Sequence, residues 1–213
     1  MSWRSLNNLS AGLTLIEMMV VIAIFIIITV VVLADLPALK NRLSLDLLAE
    51  EVALAIRQAQ VYAVATRTFG GDFPSQAVFI SVSLPTDSFI VFADSNNNNV
   101  YDEGNGCGKP PTETECREKF TLPGGVKIRA LQFCPATSNG DHCEPPATGG
   151  ISVFFIRPNP DAKFYKDDGY PYNPPNNASY LKLELYSEKI DDSRGIAIWR
   201  TGHIYTCRNY NAC

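Results

Sequence analysis

Several common signatures are missing from this chain, and each absence removes a class of function. No GxxxxGKS loop occurs, so the chain carries no ATPase motif of its own. Histidine is scarce: His142 and His203 are the only two. Neither sits in a serine nucleophile elbow or a paired catalytic motif, which favours a structural histidine over a catalytic one. The cysteines show no CxxC-like spacing, which argues against zinc. Positive charge is not in excess. The formal net charge is −4, so there is no global pull toward nucleic acid, and a nucleic-acid role needs a local basic patch. No strong helical periodicity appears after residue 70. A length of 213 residues suits one domain plus an appendage better than two full domains.

What is present is concentrated at the N-terminus. Residues 1–12, MSWRSLNNLSAG, are polar and carry Arg4. An ordinary secretory signal places its apolar core before a small-residue cleavage site and loses that core on cleavage. Here the order is reversed: Gly12 comes first, and the apolar run Leu13–Leu36 follows. Met18 to Ala34 is 17 residues without a charge, and with Leu15 and Ile16 it approaches the ~20 residues that span a bilayer. Many of these residues are β-branched, but lipid enforces a helix because backbone groups must be satisfied internally. Arg4 before the run places residues 1–12 in the cytoplasm and the rest of the chain outside. Glu17 breaks the apolar pattern. An ionisable group at membrane depth is costly and marks function. Cleavage after Gly12 would create a positive α-amino group on Leu13, which a carboxylate four residues along can neutralise, on its own chain or on a neighbour.

Gly12-Leu13-Thr14-Leu15-Ile16-Glu17 closely resembles the G-F-T-L-I-E cleavage motif of type IV prepilins and pseudopilins. The departure is Leu13 where phenylalanine is usual. The resemblance implies cleavage after Gly12 by a prepilin peptidase, methylation of the new N-terminus, and use of Glu17 to pair with a neighbour's N-terminus in assembly. It implies further partners: other pilin or pseudopilin subunits and an inner-membrane assembly platform. The alternative is an ordinary signal anchor with a chance glutamate at its cytoplasmic edge.

Pro37 predicts a kink, and a second helical stretch from about Ala38 to Thr66 carries Leu45, Leu48, Val52, Ala55, Ala59 and Tyr62 on one face. Lys40, Arg42, Asp46, Glu50 and Arg57 fall largely elsewhere, so this amphipathic half needs a sheet to pack on. Strand patterns follow at 77–82 and 88–93 around a Leu84-Pro85-Thr86-Asp87 turn, then at 126–133, 151–156, 180–186 and 195–206, the last split by Arg200-Thr201-Gly202-His203. Residues 103–118, 135–149 and 157–179 read as loops, the last as an ordered excursion. The expected class is α+β: a long, kinked N-terminal helix packed on an antiparallel sheet head with loops and disulfides. The boundaries are a 1–12 leader, a 13–36 transmembrane or filament-core helix, a 37–67 amphipathic half and a 68–213 β-rich head. Helix, hairpin, FADSNNNN, strands and Thr201-Gly202-His203 broadly resemble the GspH/FimT group of minor pseudopilins, where a T-G-R-like turn stands near the end.

Cys107, Cys116, Cys134, Cys143, Cys207 and Cys213 all lie beyond the apolar run, which points to disulfides in an oxidising compartment. Pairing neighbours in sequence is the simplest of fifteen connectivities. In the Asn-rich loop, Asp94, Asn96, Asn98, the Val100 carbonyl and Asp102 fall at calcium-loop positions 1, 3, 5, 7 and 9. Asn99 replaces the usual glycine at position 6, and Asn105 replaces the bidentate glutamate at position 12. The alternative is a surface turn held by its own side chains. Arg194, Arg200 and Arg208, with Tyr205 and Tyr210, form the one basic-aromatic cluster in the sequence, a weak footprint for the DNA binding seen in some FimT-type pilins. Asp167-Asp168 and Asp191-Asp192 read as solvated loop charges, and Glu50-Glu51 as an exposed helix pair. The function that follows is a non-enzymatic minor pilin or pseudopilin. A major pilin and a DNA-binding or adhesive minor pilin are the alternatives. Its location is the inner membrane, then a periplasmic or extracellular filament.

Overall fold

One helix, α1 (Leu15–Val64), runs through both the apolar and the amphipathic stretches, with Pro37 inside it. In this computed structural model the described residues are 14–65, 74–80, 84–102, 104, 106, 107, 114–136, 143–145, 150–166, 168–172, 178–210 and 213. Arg4, Gly12, Leu13, Thr66, Val82, Glu103, Asn105, His142 and Asp167 lie outside them. The chain divides into one unit up to Lys40 and a second from Asn41 to Cys213.

In the first unit the large apolar side chains from Leu15 to Leu39 are 47–79% exposed. At 1.5 Å per residue, Leu15–Leu36 spans about 33 Å, close to the ~30 Å hydrocarbon thickness of a bilayer.

Among its described residues the second unit contains nine strands: β1 (Ser75–Ile80), β2 (Ser88–Asp94), β3 (Cys116–Thr121), β4 (Val126–Cys134), β5 (Ile151–Phe155), β6 (Ala162–Lys166), β7 (Tyr180–Ser187), β8 (Asp192–Trp199) and β9 (Ile204–Cys207). They form two antiparallel sheets, ordered β3-β2-β1-β5-β6 and β4-β7-β8-β9. Strand β1 runs beside both β2 and β5, which puts Val78 level with Val91 and Val153 in one apolar row. The inner faces of both sheets meet the helix. Leu45, Val52, Ile56 and Ala59 pack in one core with Val78, Ile128, Leu183 and Ile196, all nearly or fully buried. The helix therefore anchors two sheets, not the single sheet the sequence suggested.

Two strands depart from the sequence reading. β3 lies at the end of the 103–118 loop and runs on to Thr121, and β6 lies inside the 157–179 loop. Both are edge strands. The apolar face of the amphipathic half is buried as read, apart from the partly exposed Tyr62. The opposite face is not simply polar: Leu43, Leu47, Leu54 and Val61 are each more than half exposed. Their spacing of four, seven and seven residues sets them in one stripe on the side away from the sheets.

Disulfides close Cys107–Cys116, Cys134–Cys143 and Cys207–Cys213.

Candidate assembly helix and head contacts

The helix begins on Thr14. Its Oγ1 accepts the Glu17 N–H (3.3 Å) and its carbonyl accepts the Met18 N–H (3.2 Å), which is N-cap geometry. Glu17 then sits at the third helical position, where an acidic side chain faces the positive end of the helix dipole. Among the described residues its carboxylate has no hydrogen-bond or ion-pair partner. It is exposed and surrounded by exposed Leu15, Ile16, Met18 and Met19. A charged side chain costs about 2.5–3.5 kcal/mol at the centre of a membrane helix, and less toward the end where Glu17 sits. The helix terminus returns only about 0.3–1 kcal/mol. A positive partner is what the position calls for.

Within the head unit, α1 is tied down by a column of polar side chains. Asp46 pairs with Arg194, and Glu50 accepts from the Thr206 hydroxyl. Arg57 Nη2 donates to the Ile204 carbonyl (2.7 Å). Gln60 Nε2 donates to two carbonyls, Pro160 (2.8 Å) and Gly202 (2.9 Å), and so joins the β5–β6 and β8–β9 connections. Gly202 has φ +82°, a conformation that favours glycine. A Cβ there would lie 2.3 Å from the Pro160 oxygen and 2.6 Å from Gln60 Nε2. This accounts for glycine in the Thr201-Gly202-His203 turn. The Gln60 latch was not visible in the sequence, because nothing local links a helix glutamine to a turn 142 residues away.

The Asn-rich loop is organised by buried carboxylates. Asp94, 1% exposed, accepts the N–H groups of Asn98 (3.2 Å) and Asn99 (3.0 Å). Asn96 and Asn98 donate their Nδ2 groups to Asp102 Oδ2. Asn97 and Asn99 take positive φ, 57° and 59°, so the Asn99 position does adopt the left-handed conformation a glycine would. Glu115, absent from the sequence reading, completes the loop by accepting from Ser95 N–H (2.9 Å) and Asp102 N–H (3.2 Å). Ala93 N–H holds it there through the Glu115 carbonyl (2.9 Å). Tyr101 packs against Phe79 and Phe92 on the outer face of the five-stranded sheet.

Desolvation pushes the Asp94 and Glu115 carboxyls above their usual range, against the backbone N–H bonds that lower them; repulsion from Asp102 adds to the rise at Asp94, and repulsion from Asp94 adds to it at Glu115. A raised folded-state value means the folded loop keeps protons that the unfolded chain has released. Stability from these groups is therefore greatest below the ordinary carboxylate range and falls as pH rises through the folded values. Asp94→Asn is expected to flatten the fall in melting temperature as pH rises above the ordinary carboxylate range. An unchanged slope would contradict this.

The basic-aromatic cluster does not form one surface. Arg194 is buried and paired with Asp46 and Asp192. Tyr210 is buried, and its hydroxyl donates to Gln132 Oε1 (2.7 Å). Arg200, Arg208 and Tyr205 remain exposed. Asp191 and Asp192 are not free solvated charges either. Asp191 accepts from Tyr186 (2.7 Å), and Asp192 pairs with Arg194 (2.9 Å). Glu50 and Glu51 are exposed as read, and so are Asp168 and His203.

A sequence model of the prokaryotic N-terminal methylation motif matches residues 7–33. The match covers Gly12, Glu17 and most of the apolar run, so the N-terminal segment is type IV pilin-like. Neither the curated proteins nor the solved structures contain a match to the chain.

Proposed function

We propose that this chain is a structural subunit, a minor pilin or pseudopilin, of a type IV pilus or type II secretion filament. The observation that carries the reading is the Glu17 carboxylate, without a partner among the described residues, one turn into an exposed apolar stretch most of which the methylation motif matches. A prepilin peptidase would cut after Gly12, leaving Leu13 with a positive amino group. That group, from a neighbouring subunit, is the partner Glu17 lacks. Before assembly the apolar run holds the chain in the inner membrane, with the assembly platform acting on it there. The disulfides, all beyond the run, agree with a head outside the cytoplasm. In the filament, the exposed aliphatic stripe Leu43, Leu47, Leu54 and Val61 supplies further surface for neighbouring helices. Nine strands and long excursions suit a specialised minor subunit more than a fibre body. The reading contains no catalytic step. Shearing of filaments from cells tests it: the chain is expected in the sheared fraction at a small fraction of the principal subunit. Its retention in the membrane fraction alone would exclude a surface pilus and leave the periplasmic filament, and a chain that still carries residues 1–12 in every fraction would overturn the reading.

Calcium uptake by Asp94, Asn96, Asn98, the Val100 carbonyl and Asp102 is a second reading of the loop. It is favoured by the loop placing Asp94 and Asp102 together, where burial and the Asp102 charge make ionising Asp94 costly. Against it, no three carboxylate, histidine or cysteine side chains converge on a metal position among the described residues. Added calcium that raises the melting temperature in wild type but not in Asp94→Asn would support it. No shift would leave the loop as a hydrogen-bonded turn.

A further inference from the structure

The outer face of the four-stranded sheet is closed by the chain that leaves β9. Leu181, Leu183 and Leu185 of β7 turn into the core, so Tyr180, Lys182 and Glu184 turn to the opposite face. The same alternation turns Ala197 of β8 outward, between Ile196 and Ile198. The outer face of an antiparallel sheet commonly meets water. Here Tyr180, Lys182, Glu184 and Ala197 are each no more than 3% exposed.

Their cover is a strap anchored at Cys207, Tyr210 and Cys213. Cys207 pairs with Gly195, and its disulfide brings Cys213 back over β8. A Cβ on Gly195 would lie 2.4 Å from Cys213 Sγ and 3.4 Å from the Tyr210 Cα, so the bare Gly195 backbone is the seat of the strap. Tyr210 reaches across β7 to β4. Its hydroxyl donates to Gln132 Oε1 (2.7 Å), and its ring centroid lies 4.1 Å from Lys182 Nζ. The Tyr180 hydroxyl donates to the Cys213 carbonyl (3.1 Å), and Cys213 packs beside Trp199. Arg129 closes over Glu184 from the β4 side. Burial pulls the Lys182 amine below its ordinary value, with Glu184 acting the other way. Contacts of this kind are individually weak beside the ordering they require, and segments held by few of them open locally. The bridge removes much of that cost by keeping both anchors of the strap together.

We propose that the Cys207–Cys213 bridge is an oxidation-set latch that seats this strap and so hides Lys182 from solvent. Closing the latch transfers two electrons and two protons from the two thiols to the disulfide of a thiol oxidant, which leaves as a dithiol. An oxidising compartment supplies such an oxidant. With the thiols open, the strap lifts and the sheet presents the Lys182 amine beside the stacked Tyr180 and Trp199 rings. The core between the sheets and α1 does not depend on the latch, because the strap lies on the other side of the sheet. Oxidised and reduced heads therefore share one fold and differ in one surface.

The test uses the full chain in detergent micelles and an amine-acylating ester, with the label mapped by peptide mass spectrometry. Exposed Lys163 is the internal reference. In the wild type Lys182 is expected to react at least tenfold more slowly than Lys163. In the double variant Cys207→Ser, Cys213→Ser its rate is expected to rise at least tenfold, with hydrogen exchange at the Leu183 and Ile196 amides unchanged. Gly195→Ala displaces the strap from its seat with both cysteines intact and is expected to raise the Lys182 rate as well. Fast labelling of Lys182 in the wild type would overturn the proposal, as would slow labelling in the double serine variant. Loss of Leu183 and Ile196 protection along with the rise would show that the bridge holds the whole head, and the latch would then be wrong. An unchanged Lys182 rate in Gly195→Ala would overturn the seat.

Discussion

Glu17→Gln is expected to leave the chain inserted, cleaved and folded while lowering its recovery in filaments at least tenfold. Gln keeps the size and hydrogen-bonding capacity of Glu and removes the charge. The apolar run does not need that charge. Losing a lone carboxylate from lipid should favour insertion by roughly 2 kcal/mol. Glu17 has no hydrogen-bond or ion-pair partner among the described residues and the head is a separate unit, so the head's melting temperature should not move. What is lost is the pair with a neighbour's amino group. That amino group would stand at the N-terminus of its own helix, where the dipole disfavours a cation by about 0.3–1 kcal/mol. Two charges that are each unfavourable alone become favourable together in a low-dielectric core, and removing one leaves the other stranded. Recovery of the variant at wild-type level would mean that Glu17 is an incidental charge. Failure of the variant to insert would mean that its role precedes assembly.

Gly202→Ala is expected to cost about 2–3 kcal/mol of head stability. The left-handed conformation accounts for about 1–2 kcal/mol and a lost Gln60 hydrogen bond for about 1 kcal/mol. A methyl group 2.3 Å from the Pro160 oxygen cannot be accommodated without moving backbone, so the β5–β6 and β8–β9 connections must part. For a head of this size that corresponds to a fall of roughly 5–10 °C in melting temperature. Gln60→Ala removes the same bonds without the backbone conflict and should cost less, about 1–2 kcal/mol. Equal melting of wild type and Gly202→Ala would show that the helix does not hold the turn as described.

These two positions mark where the sequence was readable and where it was not. Glu17 stood out because its neighbours are uniformly apolar and the chemistry of one charge among them is local. Most of the strands were readable because their residues alternate or run apolar against a buried face. The strands missed, β3 and β6, are both edges. Edge strands carry charge to avoid pairing with other chains, as in Cys116-Arg117-Glu118-Lys119, and charge hides them from hydrophobic patterning. Long-range partners were equally hidden. Arg194 resembled a surface charge until the fold brought Asp46 to it from 148 residues away, and Glu115 joined the Asn-rich loop through strand pairing beside the Cys107–Cys116 bridge. Two sheets replaced one because apolar alternation reports which face is buried and not which strand lies alongside.

The central claim concerns the chain's first residues, and the mass of the mature N-terminus, taken from membrane and sheared-filament fractions, tests it most directly. The account predicts a chain beginning at an N-methylated Leu13. A chain still beginning at Met1, or one cut beyond residue 34, would contradict it.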